Sequence, residues 1–274
     1  MTNNFKKSVA ILSFTVIIVG GIYIGINKNR VNIEGNNNES VINEGQNEVL
    51  LASIDGNNLN NNQDKINEEI GRLEEILNNP FFILVNKDNK LSEDYVPNNL
   101  KLSEIKFLDY IETRDLESTT ADALKEMFDA ALEDGVTLLG ASGYRSYNIQ
   151  KNLYDSRVAS MGEERTSLYT AQPGASEHQT GLAIDILSSD YQNLDDGFEN
   201  SKGFEWLINN CYKYGFILRY LEGKEDITGY NYEPWHFRYI GNVEIAKDIM
   251  ERGIVFEEYI NELNNKIEDL KSNN

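Results

Sequence analysis

The chain's two histidines both sit in short polar runs: Ser176-Glu177-His178-Gln179-Thr180-Gly181-Leu182-Ala183-Ile184-Asp185, and Glu233-Pro234-Trp235-His236. Two neutral imidazoles, a carboxylate and a further glutamate are the parts of a catalytic zinc site, in which three protein ligands leave a fourth position for water. His178, Asp185 and His236 supply such a set with one negative charge, so the cation keeps a positive charge that lowers the pKa of its water. Asp185 lies among Leu182, Ala183, Ile184 and Ile186, where an unpaired carboxylate is costly and a cation is a ready partner. Glu233, three residues before His236, is placed to act as general base beside the water without binding the metal. Glu177 is the rival for that role, but its adjacency to His178 tends to point it away.

These residues need elements to aim them. Gly181 allows a tight bend between His178 and a strand over Leu182–Leu187 that turns Asp185 inward. A second short strand over Trp235–Ile240 carries His236. A helix capped by Thr119 or Thr120, with Leu124, Phe128, Ala131 and Leu132 on its apolar face and Gly135 at its end, precedes a strand over Val136–Ala141. The loop Ser142-Gly143-Tyr144-Arg145-Ser146 then leads into a helix bearing Gln150 and Tyr154. A helix over Phe204–Tyr214 and a strand over Phe216–Tyr220 complete the middle, and helices over Val243–Met250 and Phe256–Leu263 follow. Helices and strands do not alternate regularly, which predicts an α+β domain: a small, mainly antiparallel sheet packed with helices, with the zinc site in a cleft on the sheet. Cys211 falls at helical spacing with Phe204, Leu207 and Ile208, which makes it a buried face residue rather than a nucleophile.

The 274 residues, 40% hydrophobic, suffice for one substantial core with appendages. Lys and Arg number 25 against 45 Asp and Glu, and the formal net charge of −20 repels phosphate backbones, which excludes nucleic acid as an expected partner. One cysteine rules out an internal disulfide framework. No charge occurs from Ser8 to Asn27, and Val9 to Ile26 is nearly all aliphatic, roughly 27 Å of helix and enough to span a bilayer core. Residues 1–27 are expected to form a cytoplasmic tip and an uncleaved transmembrane anchor with the bulk of the chain outside the cytoplasm, although the nearly balanced flanking charges orient the span only weakly. A cleaved signal peptide is the competing reading, against which stand the length of the run and the absence of a small-x-small site after it. Asn27 to Gln63 holds thirteen asparagines and no aromatics, a composition that reads as a flexible linker over 28–63. Ile66, Ile70, Leu73 and Leu77 mark a short amphipathic helix over 64–80, stopped by Pro80. The catalytic domain is expected over 81–262, with a frayed polar tail over 263–274.

The string SEHQTGLAID matches the SxHxxGxAxD signature, and EPWH the ExxH signature, of the VanY-type zinc D-alanyl-D-alanine carboxypeptidases, a family within the Hedgehog-like zinc peptidase fold. SGYRS followed by Gln150, and Trp235-His236-Phe237-Arg238-Tyr239, also resemble that family. The resemblance, which covers roughly 81–260, implies that His178, Asp185 and His236 hold Zn2+. It implies that Glu233 takes a proton from the attacking water and passes it to the leaving amine. It further implies that Arg145 holds the substrate and steadies the developing oxyanion, and that Gln150 and Ser176 contact the terminal residue and its carboxylate. A guanidinium on a strand-to-helix loop suits these tasks, being a planar, always-charged fork near the positive end of a helix.

The expected activity is removal of the carboxyl-terminal D-alanine from peptidoglycan stem peptides by a membrane-tethered, extracytoplasmic zinc peptidase. About 35 linker residues would give a root-mean-square reach of roughly 30 to 35 Å toward the wall. Alternatives are L,D-carboxypeptidase action on tetrapeptide stems, cleavage within a crosslink, a non-catalytic wall-binding module with structural zinc, and an anchored protein without metal. Glu233 and an open fourth ligand position argue against the structural-zinc reading, because structural sites close their shell with protein.

Overall fold

The computed structural model describes residues 62–272. The expected membrane anchor and nearly all of the asparagine-rich linker lie outside the described residues. Among the described residues no helix is long and apolar enough to cross a membrane.

In chain order, helix α1 spans 62–77, and a 3-10 turn at Pro80–Phe82 follows. Strands β1 (Leu100–Leu102) and β2 (Asp115–Glu117) form an antiparallel pair. Helix α2 (Ser118–Glu133) leads to β3 (Leu138–Ser142), and helices α3 (Tyr147–Met161) and α4 (Glu163–Tyr169) precede β4 (Ala183–Ser188). Helix α5 (Lys202–Asn210), β5 (Phe216–Leu218), the short α6 (Glu225–Thr228), β6 (His236–Tyr239), α7 (Val243–Arg252) and α8 (Phe256–Ser272) complete the order. The central sheet runs β3-β4-β6-β5 with every pairing antiparallel, which is the expected α+β arrangement.

Strand alternation decides what each face of the sheet carries. Ile184 and Ile186 of β4, Phe216 and Leu218 of β5, and Phe237 and Tyr239 of β6 join Leu124, Met127 and Ala131 of α2 and Leu207 in the main core. Full burial of such a side chain contributes about 1.5–3 kcal/mol. The residues between them, Asp185, Ile217, His236 and Arg238, project from the opposite face. There Ile217 packs with Ile245 and Ile249 of α7 and with Phe256 and Ile260 of α8. Asp185, His236 and Arg238 bring polar groups to that face.

Two local expectations change. Helix α2 is capped not by Thr119 or Thr120 but by Glu117, whose carboxylate accepts from the Thr120 backbone N–H at 3.0 Å. The strand β2 ends at Glu117 and the helix begins at the next residue, so the last strand residue is the one with extended backbone available to cap. The polar tail expected over 263–274 is helical to Ser272. Leu263 and Ile267 continue the Ile260 stripe at helical spacing and bury against Ile70 and Leu73 of α1, while Lys266 and Lys271 pair with Glu69 and Glu74. The partner that makes this tail a helix lies almost two hundred residues upstream.

Candidate metal centre and active-site cleft

Three elements bring the ligand set together. Asp185 and His236 are direct cross-strand partners in the β4–β6 ladder, so their side chains leave the sheet side by side. His178 sits in a 3-10 turn at Glu177–Thr180 that ends at Gly181, where φ is +69°. That left-handed position, together with a Glu117 nitrogen only 2.8 Å from where a Cβ would stand, explains the glycine at the bend into β4.

The ring hydrogen bonds fix which nitrogens face inward. His178 Nδ1 donates to the Gly143 carbonyl oxygen at 2.8 Å, so Nε2 turns to Asp185 Oδ1 at 3.4 Å. His236 Nε2 donates to Glu177 Oε2 at 3.3 Å, so Nδ1 faces Asp185 Oδ1 at 3.2 Å. Two imidazole lone pairs thus converge on one buried carboxylate oxygen that accepts no hydrogen bond, and all three ligand atoms lie within 4.8 Å of one another. Tetrahedral ligands at zinc distances of about 2.0–2.1 Å stand about 3.3 Å apart, which is the spacing from Asp185 to each ring. The residues fit the metal that the sequence predicts.

The charges respond to burial and to one another. Burial pulls His178 down to about 4, helped by the Arg145 guanidinium, and so favours the neutral ring that a metal needs. Burial also lowers His236, but the adjoining carboxylates of Asp185 and Glu177 outweigh it and push it up to about 9. Asp185 is held far below the usual carboxylate range by both histidines, against the burial that raises it. Glu233 behaves oppositely: desolvation raises its carboxyl to about 7, with the Asp185 charge adding to the shift and His236 opposing it. Its Oε2 lies 3.7 Å from His236 Nδ1, beside the ligands rather than among them.

All seven sequence-predicted residues, namely Arg145, Gln150, Ser176, His178, Asp185, Glu233 and His236, line one cleft of about 590 Å³. Arg145 is half-buried on the loop between β3 and α3, and its backbone N–H donates to the His178 carbonyl oxygen at 3.1 Å. Ser146 caps α3 behind it. Gln150 is buried, with its amide nitrogen donating to the Ala171 carbonyl oxygen at 2.6 Å and its oxygen otherwise unpartnered. The Ser176 side chain is buried and caps nothing. Tyr220, Tyr230, Tyr232 and Trp235 supply aromatic walls, while Arg157 and Arg165 face the cleft from α3 and α4.

Sequence reasoning placed Glu177 as a rival base turned from His178. The structure instead shows its carboxylate fully buried and paired with Arg219 and Arg238, both fully buried as well. Arg219 forms a two-bonded pair with Glu257 at the start of α8. Arg219 directly follows the apolar strand Phe216–Leu218, where an unpaired charge is as costly as at Asp185, and that is the signal in the sequence that it has a buried partner.

Comparisons with known proteins place the chain beside carboxypeptidases. The family model described as VanY, D-alanyl-D-alanine carboxypeptidase, matches residues 113–242. The protein named "Putative carboxypeptidase YodJ" of Bacillus subtilis (strain 168) is 45% identical over 190 residues, which is 68% of this chain and 69% of that protein. The solved structure of the LdcB LD-carboxypeptidase, described with the basis of its peptidoglycan recognition, is 44% identical with a TM-score of 0.63, covering 67% of this chain and 88% of that one. A mutant of the vancomycin resistance D,D-pentapeptidase VanY in complex with Zn(II) is 34% identical with a TM-score of 0.55, covering 66% and 99%.

Proposed function

From the premise that the chain belongs to the VanY family of D-alanyl-D-alanine carboxypeptidases and is a zinc metallo-carboxypeptidase, we propose that it removes the carboxyl-terminal D-alanine from peptidoglycan stem peptides. The observation that carries the reading is the convergence of His178, Asp185 and His236 on one point, with the raised carboxyl of Glu233 beside it. His178, Asp185 and His236 hold the zinc, which supplies the Lewis acidity that makes water a nucleophile near neutral pH.

The remaining roles fall to the chain's own groups. Glu233, half-buried in the cleft and raised to about 7, accepts the proton of the attacking water and delivers it to the departing D-alanine amine. Arg145 offers paired N–H donors to the substrate carboxylate and to the oxyanion formed at the scissile carbonyl, assisted by the positive end of α3. The unpartnered Gln150 oxygen accepts a substrate N–H, and the Ser176 hydroxyl bonds the terminal residue. The aromatic walls exclude water from these contacts, which strengthens them.

The family description names a D-alanyl-D-alanine carboxypeptidase, and the solved VanY relative is described as a D,D-pentapeptidase. A second reading, cleavage of a tetrapeptide's L,D bond, is favoured by the higher identity and TM-score to the L,D-carboxypeptidase LdcB than to the D,D-pentapeptidase. Incubating the zinc-loaded protein with defined penta- and tetrapeptide muropeptides, with mass analysis of products, decides between them. Loss of one alanine from the pentapeptide supports D,D action and from the tetrapeptide L,D action. No loss from either refutes the reading.

We further propose that residues 1–27 anchor the chain in the cell membrane by a single span, that 28–61, up to the start of α1, form a linker, and that the zinc domain faces the wall. The support is the uncharged aliphatic run and the asparagine-rich composition that follows it. Fractionation of cells producing the full chain, with protease accessibility of the zinc domain, tests this placement.

A further inference from the structure

The buried charges behind the metal centre form a connected set that the ligands and Glu233 do not include. Glu177 Oε1 accepts from Arg219 Nε and from a terminal nitrogen of Arg238, both at 2.7 Å. Its other oxygen is left with one partner, His236 Nε2 at 3.3 Å. Arg219 turns its two terminal nitrogens to Glu257 at 2.6 and 2.7 Å, and Asn86 donates to the same carboxylate at 3.1 Å. Arg238 spends its remaining donors on the carbonyl oxygens of Phe81, Ile83 and Tyr239. Two carboxylates and two guanidiniums balance in charge, the condition under which such groups tolerate burial.

This network could simply fasten α8 to the sheet, but its geometry does more. One oxygen of Glu177 is pinned by two arginines, which leaves the carboxylate no freedom to rotate, and the other is aimed at the ring nitrogen of His236 that faces away from the metal. A ligating imidazole is oriented by what its second nitrogen donates to, and that partner also sets the tautomer. We propose that Glu177, locked by Arg238 and by the Arg219–Glu257 pair, is the positioning carboxylate that holds His236 Nε2–H and presents Nδ1 to zinc. Helix α8 is then part of the metal site, although Glu257 lies beyond the matched residues 113–242. The inference rests on the zinc reading above.

The test uses the full chain and zinc itself. With only two histidines, nitrogen-15 spectra of the zinc-loaded protein report both tautomers directly. The expected pattern is one Nδ1–H ring, His178, and one Nε2–H ring, His236, with the Nε2 proton slow to exchange. Glu177→Gln and Glu257→Gln are each expected to weaken zinc affinity, measured by chelator competition, by about tenfold or more, with kcat falling and KM for substrate little changed. A fastening role alone would lower the melting temperature of Glu257→Gln and leave its zinc affinity unmoved. Two rings in the same tautomer, or zinc affinities for both variants within about twofold of wild type, overturn the proposal. Should Glu177→Gln not fold, Glu257→Gln and the wild-type spectrum decide. A wild-type chain that takes up no zinc overturns the metal-centre reading itself, whereas normal uptake with unmoved variants overturns only the positioning role.

Discussion

Replacing Gly143 with alanine tests whether the loop before Arg145 is built to orient a metal ligand. A Cβ at Gly143 would stand 2.6 Å from the Asp115 carbonyl oxygen and 2.9 Å from that of Thr113. Neither oxygen is free to retreat, since each already accepts a backbone N–H at 2.7 Å, from Tyr144 and from Gly143 respectively. The alanine must therefore move the loop by about 0.8 Å to regain ordinary contact. A shift of that size along the bond would stretch the 2.8 Å link from His178 Nδ1 to the Gly143 oxygen to about 3.6 Å, outside hydrogen-bond range. Overpacking should cost about 1–3 kcal/mol of stability. Loss of the orienting partner should cost about 10–100-fold in zinc affinity or turnover. Thermal unfolding and zinc titration against a chromogenic chelator measure the two effects separately. A Gly143→Ala protein with unaltered zinc affinity and wild-type turnover refutes the reasoning.

Other consequences can be checked with the same protein. Glu233→Gln should keep its zinc and lose turnover by about 10²–10⁴-fold, read from muropeptide release beside metal analysis. Arg145→Lys keeps a charge but loses the planar fork, so kcat/KM should fall about tenfold or more while zinc content stays at the wild-type level; an unchanged kcat/KM removes Arg145 from substrate binding. Burial pushes the Cys211 thiol up to about 12, so it should resist thiol reagents in the native protein and react on unfolding; rapid native labelling would contradict its place in the core. Ile267→Ala should lower the melting temperature, by about 2–5 kcal/mol of stability if the site does not relax, without changing zinc affinity, since α1 and the end of α8 lie in a separate apolar cluster.

What could be read from the chain alone follows from how local each signal is. Asp185 stood out because a carboxylate in an apolar strand needs a partner, and Gly181 because the chain must bend between His178 and that strand. Both arguments use only neighbours in sequence. The pairing of Asp185 with His236 is a ladder contact between β4 and β6, across about fifty residues, and no local pattern reports it. The Arg219–Glu177–Arg238 cluster was hidden for the same reason, although each arginine is flanked by apolar strand residues that make burial legible. The last turns of α8 read as a polar tail because their apolar positions are sparse, and only the facing stripe of α1 gives them something to bury. The cap of α2 was misplaced by two or three residues because glutamate is a less usual cap than threonine and the strand before it leaves no loop.

The central claim is that one turn and two strands deliver two imidazoles and one carboxylate to a single zinc ion. X-ray absorption at the zinc edge of the loaded full chain tests it most directly. The predicted first shell contains two imidazole nitrogens with the remainder oxygen and no sulfur, at stoichiometric zinc, and it is lost in Asp185→Ala and His178→Ala proteins. Stoichiometric zinc retained by those variants, or a shell without imidazole, would contradict the account.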